Sequence, residues 1–263
     1  MSFQPVLPLS GYAGWSFLKR TQGKQQAAQQ ASPVAQREAE YFRKTIGKIQ
    51  TAKDLVADRR LLSVALTAFG LEQDINYKAF LQKVLQDGSL SDDALANKLS
   101  DKRYLAFSKA FGFGDFETPR SQMSDFADKI LGLYNRQSFE SAVGEQNNTF
   151  RLALNAEHAL TDLAKGGGSE NAKWFSILGN EPLRRVMQGA LGLPDSFALI
   201  DIDKQLATLK SRARTVLGVE SVGQFAEPAV MEKLVRTYIV RAEMGGNARP
   251  SSAASIALQI LGR

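Results

Sequence analysis

Apolar residues recur at helical spacing along almost the whole chain beyond Ser32. One stripe follows the spacing i, i+3, i+4, i+7 and i+8 and consists of Met231, Leu234, Val235, Tyr238 and Ile239. A second stripe has the same period and consists of Ile202, Leu206, Leu209, Ala213, Val216 and Leu217. Such a period gives each helix one apolar face, and no segment alternates convincingly as a half-buried strand does. The pattern predicts an all-α protein, folded as an irregular helical bundle or array.

Glycine followed by an apolar residue marks several helix ends. Glycine adopts the left-handed conformation after the last helical residue without steric cost, and the next apolar residue folds back onto the last turn. This pattern predicts structural C-terminal caps at four glycines: Gly70, Gly112, Gly192 and Gly218. At the other end of a helix, Ser32-Pro33 has the form of an N-cap followed by proline at the first helical position.

Two fourteen-residue segments share a capping residue, an apolar stripe and a Gly-Leu ending. They are Asp58–Leu71 and Asn180–Leu193, which align at an offset of 122 residues. The coinciding apolar positions are Leu61 with Leu183, Val64 with Val186, and Ala68 with Ala190. The match predicts a partly duplicated helical unit whose six apolar positions face a core.

Composition and the positions of helix signals divide the chain into four regions. Residues 1–31 are expected to form an extended or disordered, flexible N-terminal tail. The remaining regions are a first helical unit at 32–118, a long connecting helical region at 119–168, and a second helical unit at 169–263. The second unit is expected to close with a helix at about residues 252–261.

The N-terminal segment is apolar but is interrupted by Pro5, Pro8, Gly11 and Gly14, so a continuous helix is not expected before about Gly14. A polar run of Gln and Ala follows and resembles a tether. In one interpretation, the aromatic residues fold back onto the protein's own helices. In the other, the segment orders on a partner and binds it through Tyr12, Trp15, Phe17, Leu18, Lys19 and Arg20.

Positive charge is concentrated near the start of the chain. Residues 1–60 hold ten basic and four acidic residues, an excess that equals the whole net charge of +6. This asymmetry motivates an alternative function, a nucleic-acid-binding regulator. Acidic residues interrupt the basic ones, however, and no recognition module is evident, so nucleic acid is the weaker expectation. Three basic doublets at helix starts could meet internal carboxylates or an acidic partner: Arg59-Arg60, Lys102-Arg103 and Arg184-Arg185.

Catalytic and metal-binding patterns are sparse. The chain has no cysteine and one histidine, His158, on which an enzymatic function would have to rest. Asp201 and Asp203 lack the other ligands of a calcium loop and fit an N-cap and first turn. Gly166-Gly167-Gly168 follows a helix instead of a strand, which is typical of a linker and not of a phosphate loop. We therefore expect no enzyme, no metal and no cofactor.

Several phrases in combination resemble a bacterial family of unknown function. They span roughly residues 38 to 243 and are Asp54–Leu62 with Ala68–Leu71, Leu95–Tyr104 with Ala110–Gly114, Phe139–Gln146, Arg151–Asn155, and Trp174–Gly179. Members of that family tend to be encoded among flagellar genes, and some carry more than one copy of the shared region. The resemblance implies no catalytic residue.

The resemblance implies a non-enzymatic structural, assembly or accessory protein of the bacterial flagellum, with a flagellar or other protein as partner. No apolar run approaches the roughly 18 residues of a membrane span, and no secretory signal is recognisable. We therefore expect a soluble chain that is cytoplasmic, or exported to the flagellum by a non-Sec route.

Overall fold

The structure is a computed structural model that describes residues 3–247, and all of its regular elements are helical. The α-helices are α1 (Gly11–Gln30), α2 (Pro33–Ile46), α3 (Ala52–Ala57), α4 (Arg59–Ala68), α5 (Lys78–Gln86), α6 (Leu95–Lys98), α7 (Lys102–Phe111), α8 (Phe126–Gln146), α9 (Asn148–Lys165), α10 (Glu170–Gly179), α11 (Glu181–Leu191), α12 (Ile202–Leu217) and α13 (Pro228–Asn247). Short 3-10 helices occupy Glu72–Asp74, Arg120–Gln122, Asp195–Leu199 and Val222–Ala226. The all-α prediction is confirmed. The helix expected at about 252–261 lies outside the described residues.

The described chain forms two compact units. The first contains residues 3–6, 18–151 and 179–181. In it, α4 packs against α8 and α2, and α3 packs against α4 and α5. Its core includes Phe42, Leu62 and Phe107, all fully buried, and Phe107 meets Phe111 edge-on with ring centroids 5.2 Å apart. This aromatic and aliphatic interior is the main apolar burial of the unit.

The second unit contains residues 7–17, 152–178 and 182–247. In it, α13 packs against α12 and against the 3-10 helix Val222–Ala226. Trp174 of α10 is fully buried, with its ring centroid 6.3 Å from that of Phe225. The stripe predicted on α13 is buried, and Leu209, Ala213 and Leu217 of α12 are buried as well. Ile202, the first residue of α12, is however 48% exposed.

The four glycines assigned to helix ends all adopt left-handed backbone. Their φ angles are 68° at Gly70, 67° at Gly112, 66° at Gly192 and 77° at Gly218. Behind Gly70, the amide of Leu71 donates to the carbonyl of Leu66 at 2.9 Å, which is the closing bond of a Schellman motif. The glycine and the apolar residue after it therefore have the roles that the sequence pattern indicates.

The two matched segments have the same local structure. Each is a helix that ends at a left-handed glycine, and in the second the amide of Leu193 donates to the carbonyl of Gln188 at 2.9 Å, as Leu71 does in the first. All six matched apolar side chains are buried, the most exposed being Ala68 at 7%. The local structures agree with duplication, while common ancestry of the two segments stays a prediction.

Replacing Gly218 by valine is expected to lower the free energy of unfolding by about 1–2 kcal/mol, because a β-branched residue at positive φ is strained. A Cβ there meets no atom within 4 Å, so the effect isolates backbone strain. Gly132, inside α8 with equally open surroundings, is the matched control: alanine there should stabilise by up to about 1 kcal/mol. Urea denaturation measures both, and a neutral Gly218 variant would contradict the cap assignment.

Candidate functional site

The six residues assigned to partner binding lie on helix α1, not on a flexible tail. Trp15 is 5% exposed and Leu18 is fully buried, so neither is available to a partner in this conformation. The expectation of an extended or disordered region is wrong for residues 11–30. Pro5 and Pro8 precede the helix, and the Gln/Ala run has the intrinsic propensity to continue it.

The other assigned residues differ in exposure. The half-buried Tyr12 donates a hydrogen bond from its hydroxyl to Glu232 Oε1 at 3.0 Å, and the guanidinium of Arg236 lies 5.2 Å from the centre of its ring. Burial, this hydrogen bond and the charge of Glu232 raise the pKa of Tyr12. Phe17 is half-buried, and Lys19 and Arg20 are exposed. The burial of Trp15 and Leu18 agrees with the interpretation in which the segment folds back onto the protein.

The residues before α1 are held by side-chain amides. Gln25 bonds both backbone groups of Val6, accepting from its amide at 2.8 Å and donating to its carbonyl at 3.2 Å. Gln146 donates to the carbonyl of Pro5 at 2.7 Å. The ring of Phe3 lies 6.2 Å from that of the buried Phe139. These contacts satisfy extended backbone that has no strand partner, and they fix residues 3–6 within the first unit.

The doublet Arg59-Arg60 lies at the start of α4, and Arg60 binds side chains around that helix end. Arg60 pairs with Glu38 at 3.1 Å and stacks 3.8 Å from the centre of the Tyr41 ring. Tyr41 in turn donates to Asp58, the N-cap of α4, at 2.6 Å. Burial raises the pKa of Asp58, but the bonds from Tyr41 and from the amides of the first helical turn outweigh it, so the pKa lies below its ordinary value.

The other two doublets also make internal contacts. Arg103 pairs with Asp101 at 2.7 Å and donates to the carbonyl of Gly70. Lys102 donates to the carbonyls at the end of α6, and Arg184 donates to the carbonyl of Leu178 at 2.9 Å. Cations bound to exposed carbonyl ends are typical of helix capping. These contacts account for Arg60, Lys102 and Arg103 without an acidic partner, and Arg184 is bound through one of its terminal nitrogens.

A polar groove of about 290 Å³ lies within the first unit. It is lined by Phe3, Gln29, Thr67, Glu72, Ser138, Ser141, Ala142 and Glu145, which come from the N-terminal segment, α1, α4, the first 3-10 helix and α8. Oxygen Oε1 of Gln29 and oxygen Oε2 of Glu72 are buried and have no hydrogen-bond partner within the part of the chain that the structure describes. Buried acceptors are nearly always satisfied in folded proteins, so this pair marks the groove as a binding-site candidate.

A second candidate is an exposed apolar cluster in the second unit, formed by Leu199, Ile200 and Ile202. These side chains are 86%, 42% and 48% exposed, at the junction between the 3-10 helix Asp195–Leu199 and α12. Exposed carboxylates adjoin them in sequence at Asp195, Asp201 and Asp203. We call these three apolar residues the apolar corner.

The residues considered for chemistry occupy structural positions. His158 is half-buried on α9, and Asp201 caps α12 by accepting from the amides of Asp203 and Lys204. The stretch Gly166–Gly168 links α9 to α10. Within residues 3–247, no group of three or more His, Cys, Asp or Glu side chains could hold a metal ion. Over the same range, no helix combines the length and hydropathy that a membrane span requires.

Sequence reasoning missed both candidates. The groove draws its polar residues from four separate helical elements, so no local sequence motif predicts it. The apolar corner has one signal in the sequence, the apolar pair Leu199-Ile200 directly before the Asp201 cap. Its third residue, Ile202, has the spacing of the apolar stripe of α12, and this spacing predicts burial.

Comparison with known proteins places the chain in a family without assigning an activity. A crystal structure of protein AGR_C_984 from Agrobacterium tumefaciens is similar, with a TM-score of 0.75 and 28% sequence identity over 94% of this chain and 100% of that one. No curated protein sequence matches significantly. Residues 68–231 match the family described as "Protein of unknown function (DUF1217)". Because the match spans more than half of the sequence, the chain belongs to the DUF1217 family.

Proposed function

We propose that this chain is a non-enzymatic structural or assembly protein associated with the bacterial flagellum, and that it acts through protein–protein contacts. Two lines support the proposal. The sequence phrases resemble a family whose members tend to be encoded among flagellar genes. The apolar corner is the single structural observation that carries it, because exposed adjacent aliphatic side chains are typical of a surface that another protein covers.

The chemistry of the apolar corner indicates the kind of partner. Burying Leu199, which is 86% exposed, removes a large apolar area from water, and this favours association. The adjoining carboxylates of Asp195, Asp201 and Asp203 would repel an acidic partner and attract a basic one. The expected partner is a flagellar component that presents an apolar helix face flanked by lysine or arginine.

The double substitution Leu199→Asp with Ile202→Asp tests this function. Both side chains are exposed, so the fold should survive, while two buried charges at the interface should reduce association with hook–basal-body preparations from motile cells by at least about tenfold. Swimming of a deletion strain should be restored by the unchanged gene and not by this variant.

Leu90→Asp is the matched control, since Leu90 is 69% exposed and lies in the first unit. It should co-purify with hook–basal bodies and restore swimming as the unchanged protein does. The flagellar proposal would be overturned if the deletion strain swims normally and the chain is absent from hook–basal-body preparations. Equal association of both variants would remove the apolar corner from the interface.

A further inference from the structure

We propose that the polar groove of the first unit is a binding site for a guanidinium group. Gln29 is only 9% exposed, lines the groove, and leaves Oε1 without a partner. Glu72 lies in the same groove, and among the described residues its Oε2 has no hydrogen-bond partner, while its other oxygen accepts a long bond of 3.5 Å from Ser141. Two buried acceptors therefore need donors that residues 3–247 do not supply.

The charge of the groove selects a cationic donor. Glu72 and Glu145 supply two carboxylates, and the hydroxyls of Thr67, Ser138 and Ser141 add neutral acceptors. The charge of Glu72 acts on Arg103, but the guanidinium of Arg103 is bound to Asp101 and to the carbonyl of Gly70. The carboxylate of Glu72 can therefore also neutralise a ligand.

The lining of the groove favours guanidinium over ammonium. Phe3 is one of the lining residues, and a planar guanidinium can stack on an aromatic ring while its N–H groups reach a carboxylate in a bidentate manner. An ammonium is a compact, strongly hydrated charge that gains less from a flat apolar wall. The groove thus combines the carboxylate, the additional amide acceptor and the aromatic face that guanidinium recognition uses.

Such a group can come from a free guanidine compound or from an arginine side chain of another protein. This inference is independent of the flagellar proposal, because it concerns the first unit and a different set of residues. Two probes separate the sources: agmatine carries the free group, and N-acetyl-arginine amide carries it on a peptide-like backbone. Cadaverine is the matched ammonium probe, since it is a flexible chain that carries no guanidinium.

Isothermal titration calorimetry of the full chain with the three probes tests the site. We expect agmatine to bind at least about tenfold more tightly than cadaverine, and Glu72→Gln, which keeps the shape and removes the charge, to weaken agmatine binding about tenfold or more. Tight binding of the arginine amide would identify a protein side chain as the source, and binding of agmatine alone would identify a free compound.

Two further variants make the result decisive. Glu145→Gln changes an exposed residue at the rim, cannot disturb the core, and should weaken agmatine binding several-fold. Glu117→Gln, an exposed carboxylate outside the groove, should leave agmatine binding unchanged. The proposal is overturned if neither guanidinium probe binds, if cadaverine binds as well as agmatine, or if the Glu72→Gln and Glu145→Gln variants both bind agmatine as the unchanged chain does.

Discussion

Replacing Trp15 by alanine is expected to lower the free energy of unfolding by about 3–5 kcal/mol. Trp15 is 5% exposed, and its removal leaves a cavity that the surrounding helices can fill only in part. Urea denaturation followed by far-ultraviolet circular dichroism measures the change. A loss of this size would show that helix α1 belongs to the folded core. It would argue against the flexible docking tail, which is the other interpretation that the sequence allows.

Ser16 provides the control one residue away. Its side chain is exposed, and its hydroxyl donates to the carbonyl of Tyr12 in the preceding turn at 2.9 Å. Ser16→Ala should therefore change the free energy of unfolding by no more than about 0.5 kcal/mol. If Trp15→Ala were as mild as Ser16→Ala, the burial of α1 would not contribute to stability, and the docking interpretation would regain support.

Replacing Gly114 by alanine is expected to lower the free energy of unfolding by at least about 2 kcal/mol. A Cβ at Gly114 would overlap the carbonyl oxygen of Gln86 and the amide nitrogen of Gly88, both of which are backbone atoms that no side-chain rotation can move. Beside it, Asp115 accepts from the amide of Ser89 at 2.6 Å and from its hydroxyl at 2.7 Å. The overlap would force these two loops apart and break those bonds.

Gly167→Ala is the control for Gly114→Ala. Gly167 lies between α9 and α10, has no left-handed φ, and a Cβ there meets no atom within 4 Å. Alanine at this position should be neutral or slightly stabilising, because it restricts the unfolded chain. Thermal unfolding of both variants by calorimetry would separate them by several degrees, and equal melting temperatures would exclude the close backbone approach at Gly114.

Local signals in the sequence predicted local structure well. Asp58 and Asp201 cap the helices that they precede, and the glycine–apolar endings form left-handed caps, because these motifs are satisfied by atoms within one or two turns. The N-terminal helix was missed for a related reason. Whether Trp15 and Leu18 are anchors for a partner or for the core depends on distant apolar residues, which a one-dimensional pattern does not reveal.

The polar groove could not be predicted from the sequence, because its residues come together only in the folded chain. Gln29 and Glu72 are ordinary polar residues in sequence, and they become notable only because folding buries one oxygen of each without a partner among residues 3–247. The basic doublets show the opposite case. In sequence, Arg60 and Arg103 are unusual as cations in first helical turns, and the structure gives them carboxylate, aromatic and carbonyl contacts within the first unit.

The interleaving of the two units has a consequence for fragments of the chain. Each unit is assembled from three separate stretches, and residues 7–17 belong to the second unit although they lie near the beginning of the sequence. A single cut after residue 151 would remove this stretch from the second unit, together with the buried Trp15. The stretch that matches the family, residues 68–231, likewise omits α2, α3 and most of α4, which supply much of the first core. A fragment limited to residues 68–231 is therefore expected to expose apolar surface and to aggregate. Folding of the second unit should require residues 7–17, and folding of the first unit should require the residues that carry α2, α3 and α4.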